Sequence, residues 1–160
     1  MEFSAENKKK VEEILKRYPS GPVGRQAALL PVLRLAQEQF GFVSEEVMTT
    51  VASVLDIPPA HVYGVATFYT LFNKKPVGKY HLQVCMNLSC CMEGAEEALG
   101  HLEKRLGIRP GETTPDRKFT LSEVECLAAC GTGPALQVNE EYHENLKTTE
   151  DVDQLLEKLR

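Results

Sequence analysis

Five cysteines in the C-terminal half are the residues of this sequence with the clearest capacity for chemistry. Four of them form two pairs, Cys85 with Cys90 (C-x4-C) and Cys126 with Cys130 (C-x3-C). Thiolates paired in this way are ligands for zinc or for iron–sulfur clusters. A disulfide framework is not expected, because the cysteine count is odd and the N-terminal residues show no secretion signal.

The spacing of the pairs is compatible with more than one kind of site. Structural zinc sites usually use C-x2-C pairs, although longer spacings occur. The C-x4-C spacing occurs in plant-type [2Fe–2S] ferredoxins. A thioredoxin-type dithiol requires C-x-x-C, which the sequence lacks. An iron–sulfur cluster, a zinc site and four unrelated core cysteines therefore remain open, with the cluster favoured.

The residues around the pairs favour a cluster further. A helix is predicted after Cys90, and its free N–H groups can donate to sulfur. The small residues 131–134 follow Cys130 and allow backbone amides to approach inorganic sulfide. Cys91 lies outside both pairs, and we expect a half-buried free thiol there, with substitution for Cys90 as the alternative.

The elements that position the cysteines are predicted from the periodicity of apolar residues. In the C-terminal half they follow the order β-α-β-β-β-α, which is typical of a thioredoxin-type α/β sandwich. The predicted elements are strand 80–85, helix 93–106, strand 119–124, strand 135–138, a short strand around Tyr142 and a helix from about Thr149. Each cysteine pair begins where a strand ends. The Gly133–Pro134 bond, directly before a strand, is a candidate for the cis form.

The N-terminal half is predicted to be a small bundle of four helices. Their predicted positions are about 11–18, 25–40, 45–55 with Ser44 as N-cap, and 61–72. The last segment is apolar on most faces, so we expect it to be buried between its neighbours. A polar turn at 73–78 separates a helical bundle, residues 1–75, from an α/β domain, residues 76–160.

Charge excludes some functions. The chain carries a net charge of −5, which argues against nucleic-acid binding. Residues 1–78 carry nine basic and eight acidic side chains, whereas residues 79–160 carry nine and fifteen.

The longest nearly apolar stretch, 62–72, is too short to span a membrane, so we expect a cytoplasmic protein without direct membrane insertion.

Two segments around the cysteines resemble the cluster motifs of a known family. Residues 84–90 (VCMNLSC) and 124–134 (VECLAACGTGP) are similar to those of the small [2Fe–2S] subunit of respiratory NADH dehydrogenase, complex I. Residues 28–38 and 62–69 are similar to the helical region of that family. The sequence departs from the family at Met86-Asn87-Leu88, where small residues are usual.

The resemblance implies a fold, a cofactor and a partner. It implies a thioredoxin-like domain that follows a helical bundle and holds one [2Fe–2S] cluster through Cys85, Cys90, Cys126 and Cys130. It also implies a flavoprotein partner that binds FMN and NADH, in the peripheral arm of a membrane-bound complex. This fits the absence of a Gly-rich phosphate-binding motif from the sequence.

The resemblance leaves two alternatives. One is the equivalent subunit of an NAD-linked hydrogenase or formate dehydrogenase, and the other is a zinc-stabilised interaction module. For a cluster in the acidic half of the chain, we expect a reduction potential nearer to about −400 mV than to a positive value.

Overall fold

The computed structural model describes residues 1–159, which form two compact units. The first unit is Met1–Pro76, and the second begins at Val77. Each unit has its own hydrophobic core. No helix within the described residues is both long and apolar enough to cross a bilayer.

The first unit consists of five helices. They are α1 (Ala5–Leu15), α2 (Pro22–Ala27), α3 (Leu29–Phe40), α4 (Glu45–Leu55) and α5 (Pro59–Phe68). The predicted helix 25–40 is two helices that meet at Ala28, and Pro31 lies in the first turn of α3, where its missing N–H is not needed. The prediction for α4 is confirmed, with the Ser44 hydroxyl accepting a hydrogen bond from the Val47 N–H. Such a cap contributes about 1 kcal/mol.

The core of this unit lies where α3, α4 and α5 meet. The side chains that fill it are fully buried, and their spacing along each helix places them on one face of that helix. Among them are Val32, Leu33, Val51, Leu55 and Val62.

The prediction that segment 61–72 is buried is wrong for most of its length. Only Val62 and Ala66 of α5 are buried, and this i,i+4 pair forms a single narrow stripe against α3 and α4. Tyr63 is 53% exposed and Phe68 is 77% exposed. Helix α5 therefore presents an apolar, aromatic outer face that nothing in its own unit covers.

The second unit is an α/β domain built on four strands. Its elements are β1 (Tyr80–Cys85), α6 (Leu88–Met92), α7 (Ala95–Leu106), β2 (Phe119–Val124), β3 (Leu136–Val138), β4 (Glu141–His143) and α8 (Thr149–Lys158). The predicted order is confirmed, except that the helix predicted at 93–106 is preceded by the separate short helix α6. The two helices are divided at Gly94, whose φ of 102° few other residues adopt.

The sheet order brings the two cysteine motifs together. The strands lie in the order β2-β1-β3-β4, with β1 and β2 parallel and the other pairs antiparallel. Cys85 pairs with Val124, so both strands end at the same edge. The Gly133–Pro134 bond before β3 is cis, as the sequence predicted.

We expect limited proteolysis to cut the chain between the two units. Residues 74–76 are exposed, and they follow a hydrogen bond from the Val43 N–H to the Asn73 carbonyl, 2.7 Å. The next bond along the chain runs from the Gly78 N–H to the Thr120 hydroxyl, 2.7 Å. Trypsin should therefore cut first after Lys74, giving two fragments that mass spectrometry identifies. Early cuts within α3 or α4 would contradict this expectation.

Candidate metal centre

The four paired cysteines occupy one end of the sheet in the second unit. Cys85 is the last residue of β1, and Cys90 lies in α6 directly after it. Cys126 and Cys130 lie in the loop that follows β2. Cys85 and Cys90 are each only 2% exposed, whereas Cys126 and Cys130 are exposed. One pair is therefore inside the domain and the other is at its surface.

The exposed pair has the geometry of two ligands on one metal ion. The Cys126 and Cys130 sulfurs lie 4.0 Å apart. Two sulfurs bound tetrahedrally to one ion, at metal–sulfur bonds of about 2.3 Å, lie about 3.8 Å apart. The C-x3-C loop thus already brings its thiols to a chelating distance.

Ala128 shapes the loop between these two cysteines. Its φ of 61° places it in the left-handed region, which non-glycine residues seldom adopt. In this conformation its backbone N–H donates a hydrogen bond to the Cys126 sulfur, 3.3 Å. Backbone donors of this kind stabilise thiolate charge around a metal. Sequence reasoning missed this residue, because an alanine carries no signal of a left-handed turn.

Cys90, one of the two buried cysteines, lies in an environment that disfavours its thiolate form. Burial raises the pKa of the Cys90 thiol, and the neighbouring Cys85 and Cys130 side chains raise that pKa further. The backbone N–H of Ala135 acts in the opposite direction and lowers the pKa. Thiolate charges gathered in a buried site need a positive charge to compensate them, and a bound metal supplies one.

Residues 131–134 are predicted to let backbone amides approach inorganic sulfide, and one of them, Gly133, does leave space beside the Cys90 sulfur. A Cβ atom built on Gly133 would lie 3.5 Å from the Cys90 sulfur and 3.6 Å from the Glu93 Cβ. Glycine therefore keeps the space directly beside this sulfur free of side-chain atoms. The second glycine of the segment, Gly131, is not constrained in this way, because a Cβ atom there would have no neighbour within 4 Å.

The four paired cysteines match a [2Fe–2S] cluster in number. Within residues 1–159, no group of three or more His, Cys, Asp or Glu side chains is gathered around one point that a single metal ion would occupy. The Cys126 and Cys130 sulfurs lie 4.0 Å apart, and the Cys90 side chain lies near both Cys85 and Cys130. A [2Fe–2S] cluster takes its four ligands as two per iron, and these cysteines would supply that number.

Cys91 is half-buried, as the sequence predicted. Its S–H donates a hydrogen bond to the Met86 carbonyl, 3.3 Å. Burial and the nearby Glu96 carboxylate raise the pKa of this thiol. Cys91 is thus hydrogen-bonded to Met86, a residue of the segment between Cys85 and Cys90.

Substitution of the cysteines should separate ligands from the additional thiol. The cluster-loaded protein should contain about two irons and two sulfides per chain. Cys126→Ala should lose the cluster, because one iron would keep only one protein ligand, whereas Cys91→Ser should keep the visible spectrum. Iron analysis and absorption spectroscopy provide the measurement. Loss of the cluster in Cys91→Ser together with retention in Cys90→Ser would reverse the assignment.

Gly133→Ala should weaken cluster binding. A methyl group at this position would touch the Cys90 sulfur at an ordinary contact distance of 3.5 Å. The cost would arise in the cluster-loaded protein, where the methyl group would compete with inorganic sulfide for the same space, and such overpacking costs about 1–3 kcal/mol. We expect iron loss to a chelator, followed by absorption, to become about tenfold faster. Gly100→Ala in α7 is the matched control, because no atom lies within 4 Å of a Cβ there. Equal rates for both variants would contradict a constraint at Gly133.

Comparison with known proteins gives relatives over nearly the whole chain. Residues 11–160 match the family described as thioredoxin-like [2Fe–2S] ferredoxin. The NADH-quinone oxidoreductase E-subunit 2 of Rhizobium meliloti (strain 1021) is 46% identical over 153 residues, 96% of this chain and 88% of that protein. The NADH-quinone oxidoreductase E-subunit of Rickettsia conorii (strain ATCC VR-613 / Malish 7) is 45% identical over 159 residues, 99% of this chain and 93% of that protein.

Solved structures show the same fold in a larger protein. The NAD+-reducing [NiFe]-hydrogenase in the air-oxidized state has a TM-score of 0.70 and 22% sequence identity. The match covers 82% of this chain but only 22% of that hydrogenase chain. The H2-reduced state of the hydrogenase has a TM-score of 0.71 over the same shares. With its fold and nearly its whole length matched, this chain belongs to the thioredoxin-like [2Fe–2S] ferredoxin family.

Proposed function

We propose that this chain is the electron-transfer subunit of an NADH:quinone oxidoreductase, complex I, and carries one [2Fe–2S] cluster close to the FMN of a partner flavoprotein. The proposal is supported by relatives that bear the name of this subunit and match along most of their own length. The subunit would belong to the peripheral arm of the complex.

The proposed ligands are Cys85, Cys90, Cys126 and Cys130. When bound, the cluster supplies a one-electron carrier. Cys85 and Cys90 hold their side of it inside the domain, away from water. Cys126 and Cys130 hold the other side at the surface. The Ala128 N–H stabilises charge on the Cys126 sulfur and thereby favours the more negative, reduced state.

The difference in exposure between the two pairs is the observation that best supports electron transfer. A structural metal site has no need of exposed ligands, whereas an electron carrier must bring its redox centre near a partner. The exposed Cys126 and Cys130 provide that approach. Leu88 and Met92, which are 73% and 79% exposed, add apolar contact area on α6, the helix that contains Cys90. Apolar residues exposed in this way are typical of interaction surfaces.

The partner is proposed to bind both NADH and FMN, and the helical unit, residues 1–75, is proposed to hold the partner. Helix α5 exposes Tyr63 and Phe68, and Leu71 is exposed just after the helix. Aromatic side chains are enriched in protein–protein interfaces. A stable attachment through this surface would keep the α/β domain, residues 76–160, beside its redox partner.

The equivalent hydrogenase subunit is the second candidate function. The structural similarity to the NAD+-reducing hydrogenase supports it, but at 22% identity that similarity concerns the fold alone. The identity to the NADH-quinone oxidoreductase subunits is about twice as high, so complex I is the better-supported assembly. The genes adjacent to this one would distinguish the two.

Association with the flavoprotein should depend on α5. The isolated chain should not oxidise NADH, whereas the heterodimer should pass electrons from NADH to ferricyanide. Phe68→Ser should weaken the heterodimer at least about tenfold, because exposed aromatics often dominate interface energies. Val23→Ser is the control, since Val23 is 74% exposed on a different helix. Dissociation constants and NADH oxidation rates provide the measurement.

Three outcomes would each count against a part of this proposal. NADH oxidation by the isolated chain would place the nucleotide site here rather than in the partner. An unchanged dissociation constant for Phe68→Ser would remove α5 from the interface while leaving the role of the cysteines intact. A colourless purified protein that contains zinc would favour the zinc-stabilised module.

A further inference from the structure

The segment between β4 and α8 is hydrogen-bonded to the loop that follows Cys130. The Thr132 hydroxyl donates to the Glu144 carboxylate, 2.7 Å. The Asn145 N–H donates to the Thr132 carbonyl, 2.8 Å, and the Leu146 N–H donates to the Pro134 carbonyl, 3.2 Å. Three hydrogen bonds therefore join a segment of four residues to one short loop.

The same segment also reaches the other cysteine motif. The Lys147 ammonium lies 3.0 Å from the Glu93 carboxylate, and Glu93 is the C-cap of the helix that contains Cys90. An exposed ion pair of this kind contributes little stability alone. Its position matters more, since it links residues 144–147 to the end of the helix that contains Cys90, in addition to their bonds with loop 131–134.

Both ends of this segment are held by regular structure. Before it, β4 pairs with β3. After it, Thr148 and Asp151 form a reciprocal capping box at the start of α8. Within it, Asn145 takes a φ of 57°, a left-handed conformation that asparagine tolerates. Residues 144–147 are thus a short segment whose two ends are both fixed.

The loop that this segment holds lies directly over a proposed ligand. Gly133 borders the Cys90 sulfur, and the Ala135 N–H faces the same sulfur. On its inner side, the loop is joined to the sheet by a bond from the Cys85 N–H to the Ala135 carbonyl, 3.1 Å. Its outer side depends on Thr132 and Pro134, which are the residues bonded to the segment.

We propose that residues 144–147 form a brace that holds loop 131–134 against the ligands, with Thr132 and Glu144 as positioning residues for the cluster. The inference rests on the proposed ligation by the four cysteines. The brace holds the loop that leads directly to Ala135, whose backbone N–H faces the Cys90 sulfur, and that donor would stabilise the additional negative charge of the reduced state. Releasing the loop therefore lowers the reduction potential and speeds the loss of iron.

The experiment compares Thr132→Val with Thr132→Ser in the full-length, cluster-loaded protein. Valine has nearly the shape of threonine but no hydroxyl, whereas serine keeps the hydroxyl. For Thr132→Val we expect about tenfold faster loss of iron to a chelator, the factor that corresponds to one net hydrogen bond. We also expect a lower reduction potential in an EPR-monitored titration. Thr132→Ser should behave like the unsubstituted protein.

Matched controls separate the brace from general stability. Thr67→Val removes a hydroxyl that donates within helix α5, to the Tyr63 carbonyl at 2.8 Å, and should leave both readouts unchanged. Glu144→Ala should reproduce Thr132→Val, and Glu144→Gln should largely restore both readouts, because an amide oxygen still accepts the bond. Glu144 is exposed, so its substitution tests the brace even if Thr132→Val fails to fold.

The outcomes distinguish this inference from the proposed function. Equal iron loss and equal potentials for Thr132→Val, Glu144→Ala and the unsubstituted protein would overturn the brace alone. Faster iron loss with an unchanged potential would overturn the positioning role and leave a purely structural bond. If the unsubstituted protein binds no cluster, the proposed ligation fails and the brace fails with it.

Discussion

The parallel pairing of β1 with β2 is the interaction on which the candidate site depends. It sets Cys85 opposite Val124, and each strand then leads into a loop or helix that carries the remaining cysteines of its motif. Parallel strands cannot be joined by a tight turn, so the connection must cross over, and it contains α6 with Cys90. Two cysteine pairs with 35 residues between them along the chain thereby meet at one end of the sheet.

The two sides of the site differ in what stabilises them. The buried pair gains protection from water, but burial and neighbouring thiols disfavour charge on Cys90. The exposed pair remains solvated and receives a backbone hydrogen bond through the left-handed Ala128. A metal cluster held by these four cysteines would have one pair of buried ligands and one pair of exposed ligands. That asymmetry suits a centre that must be stable and must also exchange electrons.

The two units have different chemical content. The α/β unit contains all five cysteines and all of the excess negative charge, whereas the helical unit contains no comparable group of ligands. What the helical unit does offer is an uncovered apolar face on α5, which is costly in water unless another protein covers it. The physical properties of the units are therefore consistent with a redox role for one and an attachment role for the other.

Local rules in the sequence predicted the features that depend on neighbouring residues. Short-range patterns predicted the Ser44 cap before α4 and the end of α7 at Gly107. They also predicted the order of the strands along the chain and the two cysteine pairs. These patterns work because caps, turns and amphipathic periods are determined within a few residues.

Tertiary structure alone decided the features that depend on distant partners. The exposed face of α5 could not be read from its composition, because an apolar helix is buried only if other elements surround it. The left-handed Ala128 and the bonds from 144–147 to loop 131–134 also have no local signal. They arise because the sheet brings these segments together, and their hydrogen bonds exist only in that arrangement.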